Sequence, residues 1–213
     1  MIVKVCEIFL SMQGESTYAG LPCVFIRMSG CNLRCVYCDT TYAYEEGTEL
    51  TEDDVFKQAV SYGIGLVEIT GGEPLMQKDV LPLIKRLLDS GLNVLVETNG
   101  SVSVGGVDRR AIIIMDIKTP GSGMCEMMDF ENLRLLKSQD ELKFVIADRR
   151  DYEWTRDFIR KHGLSDKCTI LLSPVFGVFS PRDLSKWMLD DRLRARLNLQ
   201  LHKYIYGPEE RGV

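Results

Sequence analysis

The feature that most constrains the fold of this chain is a series of short apolar runs, each followed by polar or glycine-rich residues. The runs are the segments 66–70, 93–99, 111–118, 141–147 and 168–173. Runs of this length that are rich in Val, Ile and Leu predict strands buried on both faces, as in parallel sheets. Segments with helical spacing lie at 79–90, near 129–138 and at 151–162. The alternation predicts an α/β fold built from βα units.

Further elements extend this pattern toward both ends of the chain. Additional strands are predicted at about 2–10, 22–28 and 197–206. A capping box at Thr51–Asp54 predicts a helix to about residue 62, and the pair Ser180-Pro181 begins another. The 213 residues suit a single domain spanning 1–213. They fall short of the roughly 250 residues of a complete eight-stranded βα barrel, so an open or partial barrel is expected.

The polar residues that follow the apolar runs predict where a ligand binds. They are TGGEP (70–74), ETNGS (97–101), DIKTPGSG (116–123) and SPVFG (173–177). In α/β folds, binding groups gather at the carboxyl ends of the parallel strands. We therefore expect these four segments to face one site.

The composition limits the classes of partner. A formal charge of -5 opposes a large nucleic-acid footprint, which normally shows as clustered Lys and Arg. No apolar run approaches the roughly 18 residues of a membrane-spanning helix, and the first residues show no cleavable signal. We expect a cytoplasmic protein that binds a small molecule and neither nucleic acid nor membrane.

Three of the seven cysteines lie within eight positions of a loop at 30–40, GCNLRCVYCDT. A disulfide would leave one of Cys31, Cys35 and Cys38 unused, whereas a metal centre uses all three as thiolates. A zinc site would need a fourth ligand, for which Cys23, His162 and His202 are available. A [4Fe–4S] cluster on three cysteines leaves one iron open to another ligand. The spacing alone leaves both metals open.

The CxxxCxxC spacing together with GGEP downstream resembles the radical S-adenosylmethionine (SAM) superfamily. The resemblance implies a partial (β/α)6-type barrel with largely parallel strands, in which Cys31, Cys35 and Cys38 hold a [4Fe–4S] cluster. It also implies that SAM chelates the open iron and is cleaved to a 5′-deoxyadenosyl radical, so no side chain is expected to be the catalytic group. The protein would orient the cofactors and exclude water.

Further motifs resemble the 7-carboxy-7-deazaguanine synthase family within that superfamily. They are SMQGES (11–16), GLPCVFIRMSGCNLRCVYCDT (20–40), TGGEPLMQ (70–77), VETNGS (96–101), DIKTPGSG, SPVFG and QLHKYIYG (200–207). The family implies a lyase of the queuosine and deazapurine pathway that converts 6-carboxy-5,6,7,8-tetrahydropterin to 7-carboxy-7-deazaguanine and ammonia. A hydrogen is taken from C6 and later returned, SAM is regenerated, and Mg2+ assists. Some members carry a long insertion between the first two cysteines, which this chain lacks.

The resemblance also implies which residues contact SAM. They are Gly72, Glu73, Thr98, Asn99, Ser101, Lys118 and Ser173. Glycine at 72 would let backbone approach a ligand closely. Lys118 would lie near the SAM carboxylate; the alternative is an ion pair with Asp116.

A second group is implied for substrate and Mg2+. The substrate residues are Gln13, Gly14, Glu15, Arg27, Glu97, Gln200, His202 and Val213. The guanidinium of Arg27 offers a rigid fork for the 6-carboxylate, although a structural ion pair is the alternative. Glu97 would accept N–H bonds from the guanidine-like edge of the pterin. Thr40 matches the Mg2+ ligand of the family.

The last predicted strand and the tail, 197–213, are expected to close the site. Gln200 and His202 would share one face of that strand. His162 is interpreted as an ordinary residue at a helix end.

The resemblance further implies a homodimer and an external electron donor such as flavodoxin. Two alternatives remain: an activase of the same superfamily that makes a glycyl radical on a partner protein, and a non-enzymatic module stabilised by zinc.

Overall fold

The computed structural model describes residues 1–213 and contains one nine-stranded sheet. The strands are β1 (Ile2–Met12), β2 (Pro22–Met28), β3 (Thr48–Thr51), β4 (Leu66–Gly71), β5 (Asn93–Thr98), β6 (Ile112–Ile117), β7 (Glu141–Ile146), β8 (Thr169–Pro174) and β9 (Arg196–Leu197). Their spatial order is β3-β1-β2-β4-β5-β6-β7-β8-β9. Because β3 and β9 lie at opposite edges and do not pair, the sheet remains open.

The strand directions confirm the predicted partial barrel. The pairs from β2 through β4, β5, β6 and β7 to β8 are all parallel, which gives six consecutive parallel strands. The two-residue strand β9 pairs in parallel with the middle of β8. β1 is antiparallel to β2 and to β3, so the added N-terminal strands form an antiparallel edge.

Five of the six helices pack on the outside of this sheet, and the last one contacts the loop after β1. They are α1 (Glu52–Ser61), α2 (Val80–Asp89), α3 (Asn132–Leu135), α4 (Arg149–His162), α5 (Pro181–Asp190) and α6 (Leu201–Ile205). α1 begins as predicted: the Thr51 side chain accepts a hydrogen bond from the backbone N–H of Asp54. α5 has Pro181 at its first position and Ser180 as its cap. None of these helices is long and apolar enough to cross a membrane.

Side chains alternate between the two faces of each parallel strand, and the two faces differ in chemistry. The outward side chains join the helices in a core of 35 buried residues. The inward side chains form a small apolar cluster that contains Cys23, Phe25, Leu66, Leu95 and Ile114. Nearer the carboxyl ends of the strands, the inward side chains are polar. The barrel interior is therefore filled by apolar side chains at one end and lined by polar side chains at the other.

Two sequence predictions need correction, and one strand was missed. Residues 197–206 do not form a strand: pairing with β8 ends at Leu197, and the chain then forms the helix α6. The short helix α3 replaces the longer one predicted near 129–138, because Leu136 adopts an extended conformation. The strand β3 was not predicted at all; its four residues are too few to show a pattern.

Candidate active site

A cavity of about 790 Å³ opens at the carboxyl ends of the parallel strands. It is lined by every residue predicted above to bind the cluster, SAM, substrate or Mg2+, with the exceptions of Glu73 and Ser101. The four polar segments that follow β4, β5, β6 and β8 all contribute to its wall. The expectation that these segments face one site is confirmed.

The cysteine loop forms one wall of the cavity. Cys31, Cys35 and Cys38 are free thiols, all partly exposed. The loop is anchored by the side chain of Leu33, which is 1% exposed. A hydrogen bond of 2.8 Å from the backbone N–H of Gly30 to the carbonyl oxygen of Ala43 closes its base. The anchored loop thus presents three thiols to the cavity.

The donor set fits an iron–sulfur cluster rather than a closed zinc site. Zinc would need four converging ligands. No group of three or more His, Cys, Asp or Glu side chains converges in that way anywhere in residues 1–213. Cys23 is fully buried in the inward apolar cluster, and His162 stacks on Phe158 at the end of α4. His202 lines the cavity but does not form such a group with the cysteines. Three thiols from one loop that all line the cavity suit a cluster in which each thiolate binds a different iron.

Gly72 brings β4 into close contact with the cysteine loop. A Cβ atom at this position would lie 2.1 Å from the carbonyl oxygen of Gly30 and 2.8 Å from Cβ of Cys31. The backbone N–H of Glu73 donates to the same carbonyl oxygen at 2.8 Å. Only glycine allows this approach, so the GGEP motif supports the cluster loop directly.

Glu73 is buried in the protein and does not line the cavity. Its carboxylate accepts hydrogen bonds from the backbone N–H of Asn99 (2.6 Å), the backbone N–H of Leu75 (3.0 Å) and the hydroxyl of Thr98 (2.9 Å). These bonds tie the end of β4 to the end of β5. The contact of Glu73 with the SAM amino group stays a prediction.

Ser101 is the other predicted residue outside the cavity wall. Its hydroxyl donates to Oδ1 of Asn99 at 2.6 Å and accepts from Nδ2 of Asn32 at 2.8 Å. Asn99 also directs its Nδ2 toward Sγ of Cys31 at 3.7 Å. Ser101 therefore supports a residue that lines the cavity beside the cysteine loop.

Two predicted cations face the cavity and also form ion pairs. Nε of Arg27 lies 2.7 Å from Oε1 of Glu7, which also accepts from the hydroxyl of Tyr42. Nζ of Lys118 lies 2.9 Å from Oδ2 of Asp116. Burial would lower the pKa of Lys118, but the adjacent carboxylate of Asp116 outweighs it and holds the pKa above its usual value. Each residue therefore forms the ion pair that was its alternative interpretation and also lines the cavity.

Glu97 faces the cavity from β5 and is held by two partners. Nζ of Lys143 donates to its Oε1, and the hydroxyl of Thr70 donates to its Oε2 at 2.8 Å. Burial by itself raises the pKa of Glu97, but the ammonium of Lys143 and these hydrogen bonds lower it to about 2. Glu97 is therefore an ionised acceptor at neutral pH.

Sequence reasoning missed Lys143 and Glu68, both of which line the cavity. Glu68 is 4% exposed on β4, and its Oε2 accepts a hydrogen bond from Nε2 of Gln13. Burial and the neighbouring Glu97 raise the pKa of Glu68 well above its usual value. A charged residue flanked on both sides by apolar ones, Glu68 in LVEIT and Lys143 in LKFVI, is the signal that could have found them.

The tail closes one side of the cavity as a helix rather than as a strand. The backbone N–H of Leu201 donates to the carbonyl oxygen of Gly14 at 2.8 Å, and Nε2 of Gln200 donates to Oε1 of Glu15 at 3.0 Å. A Cβ atom at Gly14 would lie 2.1 Å from Nδ1 of His202, so glycine is required there. Gln200 and His202 therefore both reach the cavity, as does Val213.

An ion pair joins the tail to the cysteine loop. Nζ of Lys203 lies 2.5 Å from Oδ2 of Asp39, and this neighbouring charge holds the pKa of Asp39 below its usual range against the opposing effect of burial. Thr40, the predicted Mg2+ ligand, donates its hydroxyl to Oδ1 of the same carboxylate at 3.0 Å. The end of the cysteine loop and the tail thus form one wall.

An open barrel of parallel strands with three loop thiols at its mouth defines a class of enzyme, and comparison with known proteins agrees. The Radical SAM superfamily matches residues 25–171, and the chain belongs to this superfamily. QueE from Escherichia coli shares the fold, with a TM-score of 0.78 over 95% of each chain at 23% identity.

Two relatives over nearly the whole chain identify the family. The 7-carboxy-7-deazaguanine synthase of Koribacter versatilis is 43% identical over 99% of this chain and 100% of its own length. That of Chlorobaculum tepidum is 46% identical over 99% of this chain and 97% of its own length. The chain belongs to the 7-carboxy-7-deazaguanine synthase family.

Proposed function

We propose that this enzyme converts 6-carboxy-5,6,7,8-tetrahydropterin to 7-carboxy-7-deazaguanine with loss of ammonia. The observation that supports the proposal is a charge arrangement inside one cavity. Arg27 on β2 and Glu97 on β5 face this cavity from either side of β4. A guanidinium suits a carboxylate, and an ionised carboxylate suits the guanidine-like edge of a pterin. One ligand that carries both groups satisfies both walls.

The [4Fe–4S] cluster and SAM supply the radical chemistry when they are bound. Cys31, Cys35 and Cys38 would hold the cluster. Gly72, Thr98, Asn99, Lys118 and Ser173 line the part of the cavity wall formed by the strand ends and would contact SAM. The tail would exclude water from the cavity, because α6 lies across the loop that contains Gly14.

Mg2+ is part of the proposal through Thr40. The threonine hydroxyl lines the cavity and donates to Asp39, so it would have to exchange this hydrogen bond for the metal. Substrate and water oxygens would complete the octahedral shell that Mg2+ requires.

The proposal includes four properties outside the cavity. The chain works as a single domain in the cytoplasm, forms a homodimer and accepts electrons from an external donor such as flavodoxin. A glycyl-radical activase and a zinc-stabilised module are not favoured, because full-length relatives share one family and the thiols do not converge on a single ion.

An anaerobic assay tests the reaction. The enzyme, reconstituted with iron and sulfide, is given SAM, Mg2+, a reductant and 6-carboxy-5,6,7,8-tetrahydropterin, and the deazaguanine product is measured. Tetrahydropterin without the 6-carboxylate is the matched control and is expected to react poorly. Arg27→Met is expected to remove most of the discrimination between these two compounds. If SAM is cleaved while neither compound reacts, the proposed substrate is wrong.

A further inference from the structure

Lys143 is a buried cation that contacts two of the residues predicted to bind substrate, Glu15 and Glu97. Its Nζ lies 2.9 Å from Oε2 of Glu15 and donates to Oε1 of Glu97, and it lies 3.8 Å from Oδ2 of Asp116. The side chain is 7% exposed and projects inward from the middle of β7. Its contacts therefore connect the loop after β1, the strand β5 and the strand β6.

We propose that Lys143 is a positioning residue that holds the carboxylates of Glu15 and Glu97 as a paired acceptor for the N–H groups of the substrate. The inference rests on the proposed function and deepens it, because it names the group that prepares the pterin-binding wall. Lys143 acts through its two partners rather than by a contact with reacting atoms.

The fixed carboxylates keep acceptor capacity for a ligand. An ionised carboxylate offers about four acceptor positions. Glu97 uses one for Lys143 and one for Thr70. Glu15 accepts from Lys143, from Gln200 and, at 3.4 Å, from Nδ2 of Asn198, which leaves about one position free. Protein donors therefore fix the orientation of each carboxylate, and each keeps at least one lone pair for an N–H donor of a ligand.

The charges around Lys143 explain why two carboxylates can lie so close together. The charged groups that act on Lys143 are Glu15 from the loop after β1, Glu68 from β4, Glu97 from β5, Asp116 from β6, Glu141 from β7 and His202 from the tail. Two further cations lie beside these groups: Arg27 from β2 acts on Glu68, and Lys118, which follows β6, pairs with Asp116. Burial would lower the pKa of Lys143, but Glu15, Glu97 and Asp116 outweigh it and raise the pKa well above its usual value. Lys143 is therefore a cation at neutral pH.

Loss of this cation leaves an uncompensated group of acids. Arg27 is already engaged by Glu7 and Lys118 by Asp116, so neither replaces Lys143 between Glu15 and Glu97. Without Lys143, the carboxylates of Glu15 and Glu97 would repel each other in a largely buried site, which favours protonation of one of them. A protonated Glu97 would offer a donor where the ligand also has donors, and binding would weaken.

Substitutions at Lys143 with a matched control test this role. Lys143→Met removes the charge and keeps most of the side-chain volume, and Lys143→Arg keeps the charge with a different geometry. Lys137→Met removes another largely buried cation, which lies 2.7 Å from Oδ1 of Asp140 and does not line the cavity. The reconstituted enzyme with SAM and without reductant is titrated with 6-carboxypterin, an oxidised relative of the substrate.

We expect Lys143→Met to bind 6-carboxypterin roughly 30-fold or more weakly, as for one partner lost from a buried charge pair. Its binding should improve as the pH rises, whereas that of the wild type should be flat near neutrality. Lys143→Arg should fold and bind weakly, and Lys137→Met should bind normally. Wild-type affinity and a flat pH profile in Lys143→Met would overturn the inference. If Lys143→Met does not fold, Lys143→Arg decides: normal binding overturns the inference and weak binding supports it.

A second measurement separates failure of this inference from failure of the proposed function. The turnover assay described above decides whether the proposed substrate is right. If the wild type does not bind 6-carboxypterin, the role of Lys143 is decided by NMR of ¹³C-labelled Glu carboxyl groups. The wild-type Glu97 should remain ionised to about pH 2. A higher titration midpoint in Lys143→Met, which has lost the charge, supports the inference, and an unchanged midpoint refutes it.

Discussion

Gly72→Ala should damage the cluster site through backbone contact alone. The new Cβ would lie 2.1 Å from the carbonyl oxygen of Gly30, and an ordinary contact is 3.4 Å, so this oxygen must retreat by about 1.3 Å. The retreat breaks the 2.8 Å hydrogen bond from the backbone N–H of Glu73. Overpacking costs about 1–3 kcal/mol, and the lost hydrogen bond adds about 1 kcal/mol. We expect a loss of about 2–4 kcal/mol in the free energy of unfolding.

The displacement also moves Cys31, which directly follows Gly30. Iron and sulfide content after anaerobic reconstitution should therefore fall well below that of the wild type. Gly65→Ala is the control at the other end of the same strand, because a Cβ there meets no atom within 4 Å and the residue has no positive φ. Its stability should change by less than about 1 kcal/mol. A Gly72→Ala variant with wild-type stability and a full cluster would refute the reasoning.

Three further outcomes are expected. Thr40→Val should keep the iron content and lose most of the Mg2+ stimulation of turnover; full stimulation would remove Thr40 as a ligand. Lys203→Met, which breaks the ion pair with Asp39, should raise KM about two- to fivefold and expose the tail to proteolysis, whereas the exposed Lys186→Met should do neither. The stabilising contribution of ionised Glu97, whose pKa is lowered from 4.5 to about 2, is present above pH 4.5 and lost as the pH falls toward 2. The free energy of unfolding, measured in urea, should fall between pH 4.5 and 2 by up to about 3 kcal/mol less in Glu97→Gln than in the wild type. An equal fall in both proteins would contradict the ion pair.

Local sequence patterns were sufficient for most of the fold. The runs at 66–70, 93–99, 111–118, 141–147 and 168–173 each became a parallel strand, because a strand buried on both faces must be apolar throughout. The polar segments after them face one cavity, since parallel strands end at the same edge of the sheet.

The tail shows where local patterns fail. Residues 197–206 alternate between apolar and polar side chains, which predicts a strand. Pairing with β8 ends at Leu197, and contacts with Gly14 and Glu15 then draw the chain across the cavity as α6. Partners far away in the sequence decided this conformation, so the local alternation could not reveal it.

The cysteine spacing by itself indicated a metal centre, and the spacing together with the GGEP motif indicated a [4Fe–4S] cluster, because three thiols in one short loop supply the same ligands wherever that loop lies in the fold. Only the tertiary structure decided that Lys143 lies between Glu15 and Glu97, which are 128 and 46 residues away from it along the chain. The register of neighbouring strands and the path of the loop after β1 set these contacts. Ion pairing depends on distance in space, and the sequence pattern of one strand does not encode which side chains face it from the others.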